Sequence, residues 1–362
     1  MPETPTFAHF RCPGCGGEMD FDPQSGMMKC QSCGRTEAVA TPTTLVVSHP
    51  LEDALANAKP LSEVALQVNC DGCGSVVVFE PPEVAGACSF CGAMIVAQAK
   101  AADPMIAPDA VLPVKVTKEA AQTEVRQWIA TRWFAPNALQ KMAQQEGIAG
   151  VYIPFWTYAA DTSSQYAGAR GTHYFVTEYY TTRDSNGNEV QESRQVMQTA
   201  WAPASGLVSR RFDDVLVPAT KSVNEARLNA LEPWDLPALC AYDPEYLAGF
   251  KAQRYQVDLP SGFEKAKVVM ENVISHDVRR DIGGDEQRID RVQTATSNET
   301  FKHLLLPVWI GAYRFQGKVF QVVVNARTGE VQGERPYSAM KITLLILGIL
   351  ILILVLWVLS QR

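Results

Sequence analysis

The far end of the chain carries a continuous apolar run. Residues 342–359 read ITLLILGILILILVLWVL, eighteen positions without a charged side chain. A helix over this run is about 27 Å long, which matches the hydrocarbon thickness of a bilayer. A buried core helix shows polar positions every three or four residues, and this run has none. The pattern predicts a transmembrane helix over residues 342–359. The alternative is a buried hairpin or a helix at a dimer interface.

The flanks of this run agree with a membrane span. Lys341 and Arg362 lie at its two ends, and Trp357 lies where an indole suits the membrane interface. Only residues 360–362 follow it, so we expect a tail-anchored, single-pass membrane protein. Residues 1–12 contain no apolar stretch long enough for a signal peptide. We expect the N-terminal bulk to be cytoplasmic.

Between residues 112 and 340 helical and strand patterns are mixed. Thr117 precedes apolar positions at helical spacing over residues 118–133, and Ser261 precedes a second such run over residues 262–281. Both serine and threonine are favoured caps at the start of a helix. The pattern predicts two helices in this region.

Strand patterns fill much of the rest of this region. Segments 174–182 and 189–200 are rich in Tyr, Thr and Val and flank a Ser-Asn-Gly-Asn turn, which predicts a β-hairpin. Helices together with such hairpins are typical of an α+β fold. We therefore expect a mixed α+β domain with an antiparallel sheet over residues 112–340.

Two short segments in this domain resemble each other. Ile153-Pro154-Phe155-Trp156 and Leu306-Pro307-Val308-Trp309 each open a predicted strand with aromatic residues at every second position. We interpret them as a duplicated β-unit within one antiparallel sheet. Alternatively, the aromatic side chains line a groove for a peptide or a lipid. They are Trp156, Tyr158, Trp309, Tyr313 and Phe315.

Eight of the nine cysteines fall into four C-x-x-C-G pairs. Fourteen residues separate the two pairs of each quartet, and the second quartet follows the first by 58 positions. This regularity indicates an internal duplication. The quartets are Cys12, Cys15, Cys30 and Cys33, then Cys70, Cys73, Cys88 and Cys91.

The spacing of these cysteines is typical of zinc ribbons. In a C-x-x-C-G turn two thiolates converge on one ion, and glycine permits the backbone conformation of the turn. Two such turns on a short β-hairpin complete a tetrahedral site that leaves no position for a substrate. We therefore expect two structural Zn²⁺ ions. The alternatives are a rubredoxin-like iron site and, less compatible with matched pairs, a redox dithiol.

These patterns together predict a multi-domain α+β protein. Two small four-cysteine zinc ribbons come first, the mixed α+β domain follows, and one transmembrane helix ends the chain. The predicted units are ribbon one over 1–39, a linker with a short helix over 40–66, ribbon two over 67–98, a linker over 99–111, the α+β domain over 112–340 and the transmembrane helix over 342–359.

Charge argues against nucleic acid as the partner of the ribbons. The formal net charge is −7, and residues 1–110 hold five Lys and Arg against thirteen Asp and Glu. Ribbon two has no Lys or Arg between its first and last cysteine. Such a surface repels phosphate and releases no counterions. We expect a protein partner and a lipid bilayer; a membrane-tethered nucleic-acid-binding protein is the alternative.

No pattern of catalytic residues is visible. The five histidines show no paired metal-ligand spacing, and the chain lacks Walker, G-x-S-x-G and G-x-G-x-x-G motifs. Cys240 lies in the apolar segment Pro-Ala-Leu-Cys-Ala-Tyr, which favours a small core residue over a nucleophile. We expect no enzymatic activity.

The motifs described above resemble a known family. The paired C-x-x-C-G ribbons, the IPFWTY segment at 153–158 and the segments LLPVW at 305–309 and VNARTGEVQGE at 324–334 are similar to those of bacterial zinc-ribbon membrane proteins of the YdjG type. Relatives of this type often carry a primosomal protein N′ or helicase-like label. This chain has no nucleotide-binding loop, so we expect no helicase activity.

The resemblance implies a partner class. Proteins of this type are found with stomatin/prohibitin/flotillin (SPFH) proteins and with phage-shock protein A, a peripheral membrane-stress protein. Together with the ribbons and the apolar run, this suggests a tail-anchored adapter or scaffold. We expect it to dock proteins at the cytoplasmic membrane face, in an envelope stress response.

Overall fold

A computed structural model describes most of the chain. The described residues are 10–39, 46–56, 66–69, 76–79, 83–87, 94–96, 106–132, 148–183, 188–315, 318–334 and 339–360. Its helices are α1 (Leu51–Ala56), α2 (Lys118–Ala130), α3 (Glu225–Asn229), α4 (Leu259–Ile282) and α5 (Ala339–Ser360), with short 3-10 helices at Leu236–Ala238 and Pro244–Leu247.

Strands are more numerous than helices in these residues. They are β1 (Met19–Asp22), β2 (Met27–Cys30), β3 (Thr36–Glu37), β4 (His49–Pro50), β5 (Leu66–Asn69), β6 (Val76–Phe79), β7 (Glu83–Ala87), β8 (Met94–Val96), β9 (Ala110–Val111), β10 (Ile148–Arg183), β11 (Glu189–Pro218), β12 (Cys240–Ala241), β13 (Lys251–Gln253), β14 (Glu286–Phe315), β15 (Lys318–Asn325) and β16 (Val331–Gly333). The chain is therefore mixed α+β, as the sequence predicts.

One large sheet organises the fold. Its order is β12-β9-β14-β10-β13-β7-β8, with β11 on β10, β4 and β15 on β14, and β16 on β15. The long strands β10, β11 and β14 pair antiparallel, whereas β13 joins β10 and β9 joins β14 in parallel. The sheet is therefore mixed rather than purely antiparallel. Ribbon one forms a separate three-stranded sheet, β1-β2-β3.

The two similar segments pair with each other at the centre of this sheet. Ile153 lies opposite Leu306, and Trp156 lies opposite His303. Trp156 and Tyr158 have no solvent exposure. The Trp156 Nε1–H donates to the Val257 carbonyl at 2.9 Å, and the Tyr158 hydroxyl donates to the Leu259 carbonyl at 2.8 Å.

The groove interpretation is wrong for the aromatic side chains that the structure describes. Trp156, Tyr158 and Trp309 are buried in the core, where each ring packs against another aromatic ring. The side chains of Tyr313 and Phe315 lie outside the described part. Whether the two segments descend from a duplication stays a prediction.

Helix α4 covers one face of the long strands. Its buried residues recur every three or four positions, so a single apolar face packs on the sheet. They are Leu259, Gly262, Phe263, Ala266, Met270, Ile274, Val278 and Ile282. The helix ends where Gly283 and Gly284 adopt φ of 64° and 78°, a conformation that favours glycine.

The cap of α4 differs from the prediction. The Asp258 side chain accepts a hydrogen bond from the Ser261 N–H at 2.8 Å, so the observed cap lies three residues before the predicted cap and the helix begins at Leu259. Pro260 is accommodated because the first turn of a helix needs no donor there. For α2 the prediction is confirmed, since the Thr117 hydroxyl accepts from the Ala120 N–H at 3.2 Å.

The far part of the long hairpin projects beyond the rest of the sheet. The third strand, β14, stops pairing with β10 where Gly171 meets Glu286. From Thr172 opposite Ala200 to Arg183 opposite Glu189, only β10 and β11 remain paired. We call residues 172–183 and 189–200 the arm. Its twelve residue pairs extend about 40 Å. The predicted hairpin is confirmed, but its strands continue far into the domain.

The C-terminal helix α5 contains the predicted apolar run. Its window from Met340 to Ser360 is long and apolar enough to cross a membrane, and none of that window is buried by the rest of the protein. Side chains such as Leu354 and Trp357 are more than half exposed. A lipid environment is the natural surrounding for such a surface.

Candidate metal centre

The first cysteine quartet is built from two turns with the same backbone hydrogen bonds. The Cys12 N–H donates to the Gly17 carbonyl at 2.7 Å, and the Gly16 N–H donates to the Cys12 carbonyl at 2.9 Å. In the second turn Cys30 and Gly34 repeat both bonds, at 2.8 and 3.0 Å. Gly16 and Gly34 have φ of 74° and 75°. These matched positive φ values explain why glycine follows each C-x-x-C.

The two turns bring four sulfur atoms together. The Cys12 and Cys33 Sγ atoms are 3.6 Å apart, those of Cys15 and Cys30 are 3.5 Å apart, and all four lie within 4.8 Å of one another. Four thiolates at 2.3 Å from a tetrahedral zinc ion are separated by about 3.8 Å. The described cluster therefore fits one metal ion.

Burial divides these four ligands into two classes. Cys12 and Cys30 are buried in the ribbon core, whereas Cys15 and Cys33 are exposed. The Cys33 backbone N–H is the largest influence that lowers the pKa of Cys30, to about 6. For Cys15, the Gly17 N–H lowers the pKa, but the nearby Cys33 and Cys30 sulfurs outweigh it and raise it to about 12. Four thiolates this close repel one another, so a cation is the chemical complement of the cluster.

A short hairpin connects the two turns and attaches them to the α+β domain. Strands β1 and β2 pair from Met19 opposite Cys30 to Asp22 opposite Met27. The Phe21 N–H donates to the Ala248 carbonyl at 3.1 Å, and the Phe21 ring packs edge-on against Tyr246 at 5.4 Å. Ribbon one therefore packs against the domain through a shared buried cluster.

Glycine is required at the point of closest approach. Gly249 has φ of 85°, and a Cβ at this position would lie 3.1 Å from the Cβ of Asp20 in ribbon one. A larger side chain would be strained by its backbone and would press against the ribbon. No local sequence pattern indicates this contact, because 229 positions separate the two residues.

The second predicted quartet lies outside the described residues. Cys70, Cys73, Cys88 and Cys91 all belong to the undescribed part, so the structure supports one metal site and the second Zn²⁺ stays a prediction. Nearby strands are described. β5 pairs with β6, and β7 pairs with both β8 and β13 of the large sheet. The second copy is therefore also connected to the α+β domain.

The fold assembles one polar cluster that the sequence pattern did not show. Asp109 accepts from His49 Nε2 at 2.7 Å and from the His303 backbone N–H at 2.7 Å. His303 is buried between Trp156 and Tyr255, and desolvation lowers the pKa of its side chain to about 4. A neutral His303 whose Nδ1 donates to the Ile106 carbonyl fits this setting. The cluster joins three chain segments, and its role is therefore in packing.

Cys240 also has a structural setting. It is half-buried, lies opposite Val111 in the sheet and packs against the same core cluster as ribbon one. Its Sγ lies 3.8 Å from the Ala238 carbonyl. The surroundings agree with the interpretation of a small core residue.

These features define a class: an α+β protein with a four-cysteine cluster that fits a metal ion and a C-terminal helix long enough to span a membrane. The chain is similar to the "Uncharacterized protein YdjG" of Bacillus subtilis (strain 168). The two are 25% identical over 342 residues, which cover 94% of this chain and 93% of that protein. This likeness supports the YdjG-type resemblance. No protein-family model and no solved structure match the chain.

Proposed function

We propose that this protein is a membrane-anchored adapter whose metal-bearing ribbons dock another protein at the cytoplasmic membrane face. The observation that carries the proposal is the four-sulfur cluster on a ribbon packed against the domain. Four thiolates fill the coordination sphere of a tetrahedral ion, so the site stabilises a surface and leaves no position for a reacting water. Zinc is the metal that this ligand set favours, and the second quartet is proposed to hold a second Zn²⁺.

The described surface of ribbon one favours a protein partner. Residues 10–39 hold three basic residues, Arg11, Lys29 and Arg35, against four acidic ones, Glu18, Asp20, Asp22 and Glu37. The resulting net charge of −1 gives no basic stripe for a phosphate backbone. Partners of the SPFH or phage-shock protein A class are proposed from the family resemblance.

The last described strand before the anchor shares a buried cluster with ribbon one. Val331 of β16, the last strand before α5, lies in the same core cluster as Phe21 and Cys30. Eight positions separate Val331 from the start of α5, a chain length of at most about 28 Å, so a span at α5 would keep this cluster near the membrane. This position supports a function in recruitment to the membrane surface.

Affinity capture from the native host would test the proposal. The full-length, detergent-solubilised chain is compared with the double variant Cys15→Ser and Cys33→Ser, which removes the two exposed ligands and leaves the buried pair in place. Cys240→Ser is the matched control because it changes a cysteine outside the cluster. We expect the specific partner to be lost from the double variant and retained by the control.

Two results would contradict the adapter function. The first is recovery of the same partners with the metal-free double variant. The second is an affinity for DNA or RNA that falls steeply with salt, which would favour the membrane-tethered nucleic-acid binder. Protease accessibility of a tag at residue 1 in sealed cells would test the proposed cytoplasmic orientation separately.

A further inference from the structure

The arm exposes a strand edge along its whole length. In the part of the chain that the structure describes, β11 pairs with β10 alone. Its outer edge therefore presents backbone donors and acceptors without a partner strand. Exposed edges of this kind are templates for pairing with a further strand. A two-stranded hairpin is also only marginally stable by itself in water, so a third and fourth strand would stabilise the arm.

The sequence of this edge is self-complementary. Residues 190–196 read Val-Gln-Glu-Ser-Arg-Gln-Val, a palindrome about Ser193 except that Glu192 is mirrored by Arg194. When two copies of this strand pair antiparallel about a two-fold axis at Ser193, each Val faces Val, each Gln faces Gln, and each Glu faces Arg. An isologous contact requires a patch that complements itself in this way.

From this pattern we infer that two copies of the chain pair edge to edge through β11 of their arms, forming a four-stranded antiparallel sheet centred on Ser193. This interaction surface is independent of the metal centre and of the partner proposed above. Its occupant is a second copy because the charges of the edge complement its own reversed sequence.

Contacts within each arm fit this arrangement. Arg194 donates to Glu178 at 2.8 Å, and Glu192 accepts from the Tyr180 hydroxyl at 2.8 Å, all on one face of the arm. Pairing would continue these contacts into a row of Glu178, Arg194, the second copy's Glu192 and Tyr180. Charges in this row alternate, which stabilises neighbouring strands, whereas like charges directly opposite destabilise them.

The opposite face of the arm gives the same arrangement a second source of stability. Phe175, Tyr179 and Met197 are 67%, 66% and 54% exposed there. Tyr179 lies opposite Ser193, and Phe175 lies opposite Met197. Across the two-fold axis, the two small serines would lie between the two Tyr179 rings, which would be three strand spacings apart. A continuous four-stranded surface would shield part of this apolar area from water.

Charge reversal tests the inference with the full-length chain carrying two different tags. Glu192→Arg or Arg194→Glu in both copies places like charges opposite each other twice per pair, and we expect co-purification to fall roughly tenfold. Mixing one copy of each variant restores opposite charges at both positions, so recovery should return to the wild-type level. Glu189→Arg is the control, because Glu189 would face Met197.

Cysteine cross-linking tests the axis without changing any charge. Ser193→Cys would face its own copy, and we expect a disulfide-linked dimer on mild oxidation, above the level of the parent chain. Gln195→Cys lies on the same face but about 14 Å from its own copy, so it should not cross-link alone. It should cross-link when mixed with Gln191→Cys. Wild-type copies that fail to co-purify, or equal cross-linking at 193 and 195, would overturn the inference.

Discussion

Strand β10 passes through two environments that differ in what covers them. Near its start, Trp156 and Tyr158 are completely buried between the sheet and helix α4. Near its end, Phe175 and Tyr179 are two-thirds exposed, although they are also large aromatic residues. The backbone pairing with β11 is continuous throughout, apart from one bulge between Tyr158 and Ala160. Strand geometry alone therefore does not decide which aromatic residues form the core.

The difference arises from where the covering elements end. Helix α4 ends at Ile282, and β14 begins at Glu286, opposite Gly171. Up to this point α4 excludes water from one face of β10, and β14 pairs with the edge of β10. Beyond it, cross-strand contacts such as that between Glu178 and Arg194 are the remaining side-chain stabilisation. Four measurements, from the largest expected effect to the smallest, test this comparison and the ribbon attached to the covered part.

Loss of the metal should have the largest effect, and it should be confined to the covered part. A structural zinc site contributes on the order of 10 kcal/mol to the folding of a small ribbon. We expect Cys15→Ser with Cys33→Ser to lower the bound metal by one ion per chain and to expose Tyr246 and ribbon one to protease. Elemental analysis and limited proteolysis measure both. The arm should keep its resistance to protease. Unchanged metal content would contradict the assignment of these cysteines as metal ligands.

Matched aromatic substitutions in β10 compare the two environments directly. Trp156→Ala removes a fully buried ring and its hydrogen bond to Val257, so we expect a loss of about 3–5 kcal/mol in the free energy of unfolding. Phe175→Ala in the arm should change it by less than about 0.5 kcal/mol. Urea unfolding of the solubilised protein measures both. Similar losses at the two positions would show that the arm is buried in solution.

The contact between α4 and the sheet can be probed at a single glycine. A Cβ at Gly262 would lie 2.4 Å from the Tyr158 hydroxyl and 2.8 Å from a carbon of Trp156. Although alanine favours a helix, we expect Gly262→Ala to destabilise the protein by about 1–3 kcal/mol because of overpacking. Glu271→Ala, on the exposed side of the same helix, is the control. Equal stability of the two variants in thermal unfolding would contradict the packing.

Acid should weaken the ion pair that fastens β11 to α4. The Arg210 guanidinium binds Asp277 through two hydrogen bonds, which lowers the pKa of this carboxyl below its ordinary value. Its stabilisation is therefore complete above about pH 4 and is lost as the pH falls through the lowered value. A partly exposed pair contributes about 0.2–1 kcal/mol. Asp277→Asn should remove this acid-dependent loss, whereas Asp213→Asn should leave it, as measured by unfolding between about pH 5 and 2.

Local patterns predicted the features that short stretches of chain specify. The C-x-x-C-G spacing identified Cys12, Cys15, Cys30 and Cys33, because the turn places both sulfurs through its own backbone geometry. The apolar run identified α5, and Thr117 identified the start of α2. The cap of α4 was assigned to Ser261 instead of Asp258, since both residues are good caps and only the observed hydrogen bond distinguishes them.

The sequence by itself determined the chemistry of the ligands, the apolar helix and the mixed α+β class, because each depends on residues close together in the chain. Only the tertiary structure decided that ribbon one packs on Tyr246, that Asp109 joins His49 to the backbone of His303, and that Trp156 is core while Phe175 is exposed. Burial depends on contacts between helices and strands that lie tens to hundreds of positions apart in the chain. A local sequence pattern carries no information about those contacts.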